Sequence, residues 1–341
     1  MGVGELMSNY WRGDMSVEEF LSEWHNDNDR LLVHTSGSTG QPKPLWVEKR
    51  RMMVSARITC SFLGLKAGDT ALLCLPLDYI AGKMMVVRTL TCALRLLSVK
   101  PSGHPLSDPE LADKSIDFAA MIPMQVYNAL QVPEERERLR RIRHLIIGGG
   151  AIDHQLECDL NDFPNAVWST YGMTETLSHI ALRRLNGPDA SLWYTPLEGV
   201  SISLNADNCL IVDAPSVCSS TLETNDIAEI CEGKFRILGR RDNVVCSGGI
   251  KIQIEEVERQ LHEHTSQPLL ITKCADAKLG EAVVLLTESA DVEAMRLLCQ
   301  RVLPRYWQPR HFIVVDQLPF TATGKPARCE AERLAALAIE V

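Results

Sequence analysis

A chain of 341 residues, 45% apolar and 23% charged, can build one large domain or two and is not disordered by composition. Its net charge of -9 argues against a general nucleic-acid binder or membrane-surface binder, so an anionic ligand would need a local cluster of cations. Eleven cysteines without a CxxC pair spell neither a zinc site nor a thioredoxin-like motif, and read as buried thiols in a reducing compartment. No basic segment followed by an apolar core opens the chain, and no apolar run approaches the roughly twenty residues of a membrane span, so a cytoplasmic protein without membrane insertion is expected.

Ser16 and Glu19 stand in capping-box spacing, and Val17, Phe20, Leu21 and Trp24 share a helical face, which predicts a packed helix over residues 16 to 24. The apolar Leu31-Leu32-Val33 reads as a strand and runs into Thr35-Ser36-Gly37-Ser38-Thr39-Gly40-Gln41-Pro42-Lys43. Glycines there turn backbone N–H groups outward, hydroxyls add donors, and Lys43 adds charge, so the segment suits phosphates. It is not the usual triphosphate P-loop, because Lys43 follows a proline and the glycine spacing is wrong; a Ser/Gly linker is the plain alternative.

Met53, Ala56, Cys60 and Leu63 then recur at helical spacing up to Gly64, and Thr70 to Leu75 reads as a strand. A helix from about Gly82, a solvated helix over the charged run Glu134 to Arg143, and the strand Leu145-Ile146-Ile147 closing on Gly148-Gly149-Gly150 continue the alternation of a mostly parallel α/β sheet. Beyond Gly239 the texture becomes α+β. A helix carries Glu255, Glu256, Val257 and Leu261, strands fall at Leu269 to Thr272 and Val283 to Thr287, and a helix near Val292 to Val302 precedes the strand His311 to Val315. A large α/β domain over residues 1–241 and a small α+β lid over 242–341 are expected. His262-Glu263-His264 is discounted as a metal pair because i and i+2 face apart on a helix.

Four further segments follow the glycine loop in order: Tyr171-Gly172-Met173-Thr174-Glu175, Thr224-Asn225-Asp226, Gly239-Arg240-Arg241-Asp242 with Ser247-Gly248-Gly249, and Pro319 through Gly324-Lys325. Together they resemble the adenylate-forming superfamily of acyl-CoA ligases, acyl-CoA synthetases and peptide-synthetase adenylation domains. The resemblance implies that a carboxylate attacks the α-phosphate of ATP, with Mg²⁺, and that the acyl-adenylate then passes to coenzyme A. It implies Thr35, Ser36, Gly37, Ser38, Thr39, Gly40 and Lys43 at the β and γ phosphates, and Glu175 on Mg²⁺. Thr174 would donate to the α-phosphate. Tyr171, next to Gly172, would offer its ring to adenine, with Gly149, Gly150 and Ala151 on the other side of the base. Asp226 and Arg240 would hold the ribose, and Lys325 would bridge the acyl carboxylate and the α-phosphate. Asp242 would be the hinge, and Ser247, Gly248 and Gly249 would meet the pantetheine arm. Asn225 departs from the usual glycine, a mild change because Asn tolerates positive φ.

The phosphate loop lies at residue 35, whereas most members have well over a hundred residues before it, so much of an N-terminal subdomain is expected to be missing. The chain also ends soon after Lys325 without a carrier domain, which disfavours a peptide-synthetase module. Leu75-Pro76-Leu77-Asp78-Tyr79-Ile80-Ala81-Gly82 followed by Arg88 looks like the short o-succinylbenzoate:CoA ligases of menaquinone synthesis, with Tyr79 where they carry His. A dicarboxylate needs a cation for its unreacting carboxylate, and Arg88 or Lys83 could supply it; both also fit the solvent face of a helix. Another aryl or medium-chain acid, and a non-catalytic binder of adenylate or CoA, are the alternatives. The expected partners are thus small molecules, and a homodimer stays open.

Overall fold

The computed structural model describes residues 15–34, 44–150, 152, 154–321 and 325–339. The first signal acts as its spacing predicts. The Ser16 hydroxyl accepts from the Glu19 amide at 3.1 Å, the Glu19 carboxylate accepts from the Ser16 amide at 2.7 Å, and the helix Val17–His25 follows, burying Phe20. β1 (Arg30–His34) and β2 (Pro44–Glu48) form an antiparallel hairpin that turns Leu31, Val33 and Val47 inward.

The main sheet has seven strands in the order β4 (Arg95–Ser98), β3 (Thr70–Leu73), β5 (Phe118–Met121), β6 (His144–Ile147), β7 (Ala166–Gly172), β8 (His179–Arg184) and β9 (Thr195–Pro196). The first five run parallel, β8 is antiparallel to β7, and β9 is antiparallel to β8. Both faces are covered, and the alternation of side chains shows it. Ala71, Leu73, Phe118, Ala120 and Ile146 enter one core with the helices Lys49–Leu63 and Ile80–Cys92. Leu72, Ala119, Met121, Leu145 and Ile147 enter a second core with Val126, Leu139 and Leu156 of the helices Pro123–Gln131, Pro133–Arg141 and His154–Leu160. A sheet buried on both sides needs continuous apolar strands, and these four-residue runs supply them.

A four-stranded antiparallel sheet follows, in the order β10 (Ser201–Leu204), β11 (Cys209–Asp213), β12 (Leu222–Cys231) and β13 (Lys234–Arg240). The last sheet comprises β14 (Val244–Ser247), β15 (Ile250–Gln253), β16 (Leu269–Asp276), β17 (Gly280–Thr287) and β18 (His311–Val314). It is also packed on both faces: Leu269, Ile271, Val283 and Leu285 meet the helices Ile254–His262 and Val292–Val302, while Leu270, Val284 and Leu286 meet Ala331 and Ala335 of the helix Arg328–Ile339. Arg328 clamps this unit by donating to both carboxylate oxygens of Glu258, at 2.7 and 2.8 Å, and to the Ile271 carbonyl.

Two expectations are corrected here. The charged run is helical over Pro133–Arg141 but is not wholly solvated, because Glu135 and Leu139 are buried; Glu135 takes the His104 ring at 2.9 Å. The thiols are not uniformly buried: Cys158, Cys231, Cys246 and Cys329 are exposed.

Candidate active site

Tyr171, Asp226, Arg240 and Lys325, from four of the motifs, meet near the carboxyl ends of β6 and β7, the edge where parallel α/β sheets usually receive ligands. β6 ends at Ile147 and pairs with Ser169 of β7, so Gly148-Gly149-Gly150 and Thr170-Tyr171-Gly172 leave the sheet side by side. The approach is close enough that a Cβ at Gly148 would lie 2.2 Å from Oγ1 of Thr170. Gly149 has φ +82°, the left-handed region that glycine enters without cost, and this lets the chain turn away from the sheet edge.

Tyr171 is held rather than loose. Its ring meets Phe235 edge-on at 5.1 Å and lies 5.9 Å from Tyr194, and its hydroxyl donates to Oδ2 of Asp226 at 2.6 Å. Burial, and the carboxylate beside it, raise the pKa of that phenol, so it stays a donor. Asp226 is brought there by the pairing of β12 with β13, which sets it opposite Arg240, whose Nη1 lies 3.5 Å from Oδ1. Lys325 joins the same group from the far end of the chain. Burial lowers its pKa, Arg240 lowers it further, and Asp226 opposes both. Its backbone pairs with Thr321: the Lys325 amide donates to the Thr321 hydroxyl at 3.1 Å, and the Lys325 carbonyl accepts from the Thr321 amide at 2.7 Å.

Asp242 sits in the single helical turn Arg241–Asn243 that joins β13 to β14. It accepts from Nη2 of Arg240 at 2.9 Å and from the Asn225 side chain at 3.2 Å. On the other side of the turn, Gln253 donates to the Arg240 carbonyl at 2.9 Å and crowds Gly239, where a Cβ would lie 2.2 Å from Nε2 of Gln253.

Thr174 and Glu175 follow β7 in a short 3-10 turn, with Thr174 buried and Glu175 exposed. The Glu175 carbonyl accepts from the Cys218 thiol at 3.4 Å, while its carboxylate enters no ion pair among the described residues. No group of three or more metal-ligating side chains occurs among the described residues. One exposed carboxylate suits a cation that keeps most of its water and is completed by phosphate, which is how Mg²⁺ behaves.

A second cluster lies beneath this edge. Arg88, expected either in the acid pocket or on a solvent face, is 2% exposed. It donates to the Ser178 hydroxyl at 2.7 Å and to the Thr59 hydroxyl at 3.4 Å, and its guanidinium lies 5.9 Å from the centre of the Phe118 ring. No carboxylate among the described residues pairs with it, and its Nε has no hydrogen-bond partner. Burial pushes its pKa down to about 10, which leaves it cationic at neutral pH. His179 completes the cluster, 3.1 Å from Oγ1 of Thr59 and 3.3 Å from Oγ of Ser178, and burial beside Arg88 drives its pKa well below the usual imidazole range. Ser178, His179 and Thr59 were missed in the sequence. The first two lie three and four residues beyond the Tyr171–Glu175 motif, and that nearness was the available signal.

Lys83 does not share that cluster. It is buried against Met15 and the Phe20 ring, 5.2 Å from its centre, and desolvation lowers its pKa. Tyr79 caps the helix Ile80–Cys92 and is half-buried against the main core. Gly248 and Gly249 adopt positive φ in the turn between β14 and β15, where the Gly248 amide donates to the Leu279 carbonyl at 2.8 Å; with Ser247 they belong to the C-terminal sheet. Thr35, Ser36, Gly37, Ser38, Thr39, Gly40, Lys43 and Ala151 lie outside the described residues.

The sequence profile of the AMP-binding enzyme family matches residues 9–215, and the chain belongs to that family. A 2-succinylbenzoate–CoA ligase of Listeria monocytogenes is 25% identical over an alignment that covers 96% of this chain and 75% of the relative. One from Bacillus mycoides is 24% identical, with coverages of 93% and 73%. An acyl-CoA synthetase (AMP-forming)/AMP-acid ligase II-like protein from Dyadobacter fermentans is 34% identical, with TM-score 0.63 and coverage of 93% of this chain and 92% of that one. The o-succinylbenzoate coenzyme A synthetase of Bacillus subtilis, solved with ATP and a magnesium ion, shares the fold at TM-score 0.74 and 23% identity, with coverages of 88% and 69%.

Proposed function

We propose that this chain is an ATP-dependent, AMP-forming acid:CoA ligase whose acid is o-succinylbenzoate. The observation that carries the reading is the meeting of Lys325, Arg240, Asp226 and Tyr171, four residues from widely separated motifs, at one sheet edge above a buried and unpaired Arg88. The carboxylate of the acid attacks the α-phosphorus of ATP, and pyrophosphate leaves with the electron pair of the broken P–O bond. The CoA sulfur then attacks the acyl carbon, and AMP leaves.

Each residue has a role that follows from its chemistry. Asp226, oriented by the Tyr171 hydroxyl, accepts hydrogen bonds from the ribose, and Arg240 flanks the same sugar. Adenine rests between Tyr171 and the backbone of Gly149 and Gly150, while Gly172 admits the backbone of the next strand, a Cβ there lying 2.4 Å from the Ser178 carbonyl oxygen. Thr174 donates to the α-phosphate, and the loop from Thr35 to Lys43 takes the outer phosphates. Glu175 would hold Mg²⁺, which supplies neutralising charge to the phosphates. Lys325 places a cation between the two anions that must approach, so it lowers the barrier where charge concentrates. Arg88 takes the carboxylate that does not react. A charge-assisted hydrogen bond in a dry pocket is a strong one, and a guanidinium already desolvated loses little more on binding.

Residues 1–241 and 242–341 act as two bodies joined at Asp242. Turning the smaller one withdraws Lys325 and brings Ser247, Gly248 and Gly249 to the adenylate for the pantetheine thiol. The test is a panel of carboxylic acids with ATP, Mg²⁺ and CoA, read as pyrophosphate release. O-succinylbenzoate is expected to lead it. Another aryl or medium-chain acid in first place would reassign the substrate, and no release with any acid would leave a binder of adenylate or CoA.

A further inference from the structure

The side chain of Asn225 has two ends, and both are engaged on the hinge turn. Its amide nitrogen donates to Oδ2 of Asp242 at 3.2 Å, and its amide oxygen accepts from Nη2 of Arg241 at 2.7 Å. Asn225 belongs to β12 and immediately precedes Asp226, whereas Arg241 and Asp242 begin the turn that leads into the C-terminal sheet. Arg241 is tied a second time to the same side of the molecule, through Asp207 at 3.1 Å. Asp242 also accepts from Arg240 at 2.9 Å, so its carboxylate is shared between two donors on the large body.

We infer that Asn225 is a positioning residue that latches the hinge in the arrangement seen here, with Lys325 beside Asp226 and Arg240. The inference deepens the proposed two-body reaction and rests on it for its catalytic consequence. A rotation about Asp242 changes the backbone angles of the turn and breaks the Asn225–Asp242 hydrogen bond, whereas the bond to Arg241, on the large-body side of the pivot, fixes the Asn225 side chain in place to make it. An alanine at this place offers neither group. The latch therefore favours the adenylating arrangement over the thioesterifying one, and its removal shifts the balance by the worth of one exposed hydrogen bond to a carboxylate, about two- to tenfold. The placement beside Asp226 gives the latch a reason: the strand that would hold the ribose also restrains the lid while the nucleotide is in place.

The experiment compares wild type with Asn225→Ala and Asn225→Asp in three measurements: acid-dependent pyrophosphate release, thioester formation from supplied acyl-adenylate and CoA, and trypsin cleavage after Arg241. Asn225→Ala is expected to lower adenylation about two- to tenfold, to leave thioester formation equal or faster, and to quicken cleavage by a similar factor. Asn225→Asp keeps an acceptor for Arg241 but repels Asp242, so it is expected to do at least as much. A mere folding defect would lower both half-reactions together, and that result overturns the latch. Unchanged cleavage in both variants overturns it as well. If wild type releases no pyrophosphate with any acid, the ligase reading fails, and the cleavage rates alone still decide whether Asn225 restrains the hinge.

Discussion

Replacing Arg88 with methionine should separate the proposed binding role from stability, because the guanidinium is buried and no acid among the described residues pairs with it. Methionine fills most of the space of the arginine stem, so no large cavity opens. Two effects then compete in the free protein. The donor bond to Ser178 at 2.7 Å is lost, at about 1.5–3 kcal/mol for a bond to a charged group, and the long contact to Thr59 at 3.4 Å adds little. Against this, an uncompensated buried charge disappears, and replacing buried ions by apolar side chains often gains about 1–4 kcal/mol. The expected net change in unfolding free energy is small, within about 2 kcal/mol of wild type on either side. Binding is different, since the dicarboxylate loses its charge-assisted partner. A loss of about 2–3 kcal/mol corresponds to roughly 30- to 150-fold in affinity, and a monocarboxylate analogue lacking the second acid should lose little. Urea unfolding of the free protein, with calorimetric titration of the two acids, measures both. Equal weakening of the two acids, or destabilisation well beyond 3 kcal/mol, would show that Arg88 is structural and refute the assignment.

Lys325→Ala should abolish acid-dependent pyrophosphate release while largely sparing thioester formation from supplied acyl-adenylate; equal loss of the two half-reactions would contradict a lid that swaps Lys325 for the Ser247 turn. His179 gives a pH signature. Its folded pKa lies well below the unfolded value, so the unfolded chain binds the extra proton, and stability should fall as pH drops below about 6.5, with a slope approaching ~1.4 kcal/mol per pH unit. The loss stops only once pH falls below the folded pKa. His179→Gln should remove that contribution, seen as a flatter dependence of urea midpoints on pH between neutrality and mild acid; an unchanged slope would place the titration elsewhere.

The sequence made the local signals legible and the convergent ones much less so. The capping box at Ser16, the glycine stop at Gly64 and the strands Thr70–Leu73 and His144–Ile147 were readable because each depends on a few neighbouring residues. The sheet of β10 to β13 was not, since Ser201–Leu204 is a short, half-polar strand and the longer Leu222–Cys231 carries polar residues through much of its length, so their pairing is set by tertiary contacts. Spacing singles out Arg88 as a candidate, but its burial is not readable in the sequence, because a cation on a helix ordinarily faces water. Lys83 shows the same limit: it lies five residues from Arg88 on the same helix, and the structure turns it to Phe20 instead. Asn225 reads in the sequence as a mild departure from glycine, whereas the structure brings Arg241 and Asp242 of the turn after β13 onto both ends of its amide.

The central claim is that the acid is activated as an acyl-adenylate at the Lys325–Asp226 edge, and oxygen transfer tests it most directly. The leading acid from the panel, labelled with ¹⁸O in its reacting carboxylate, is turned over with ATP, Mg²⁺ and CoA, and the nucleotide product is weighed. Attack on the α-phosphorus followed by thiolysis at the acyl carbon must leave one labelled oxygen in AMP. Unlabelled AMP, or ADP with the label in inorganic phosphate, would contradict the account.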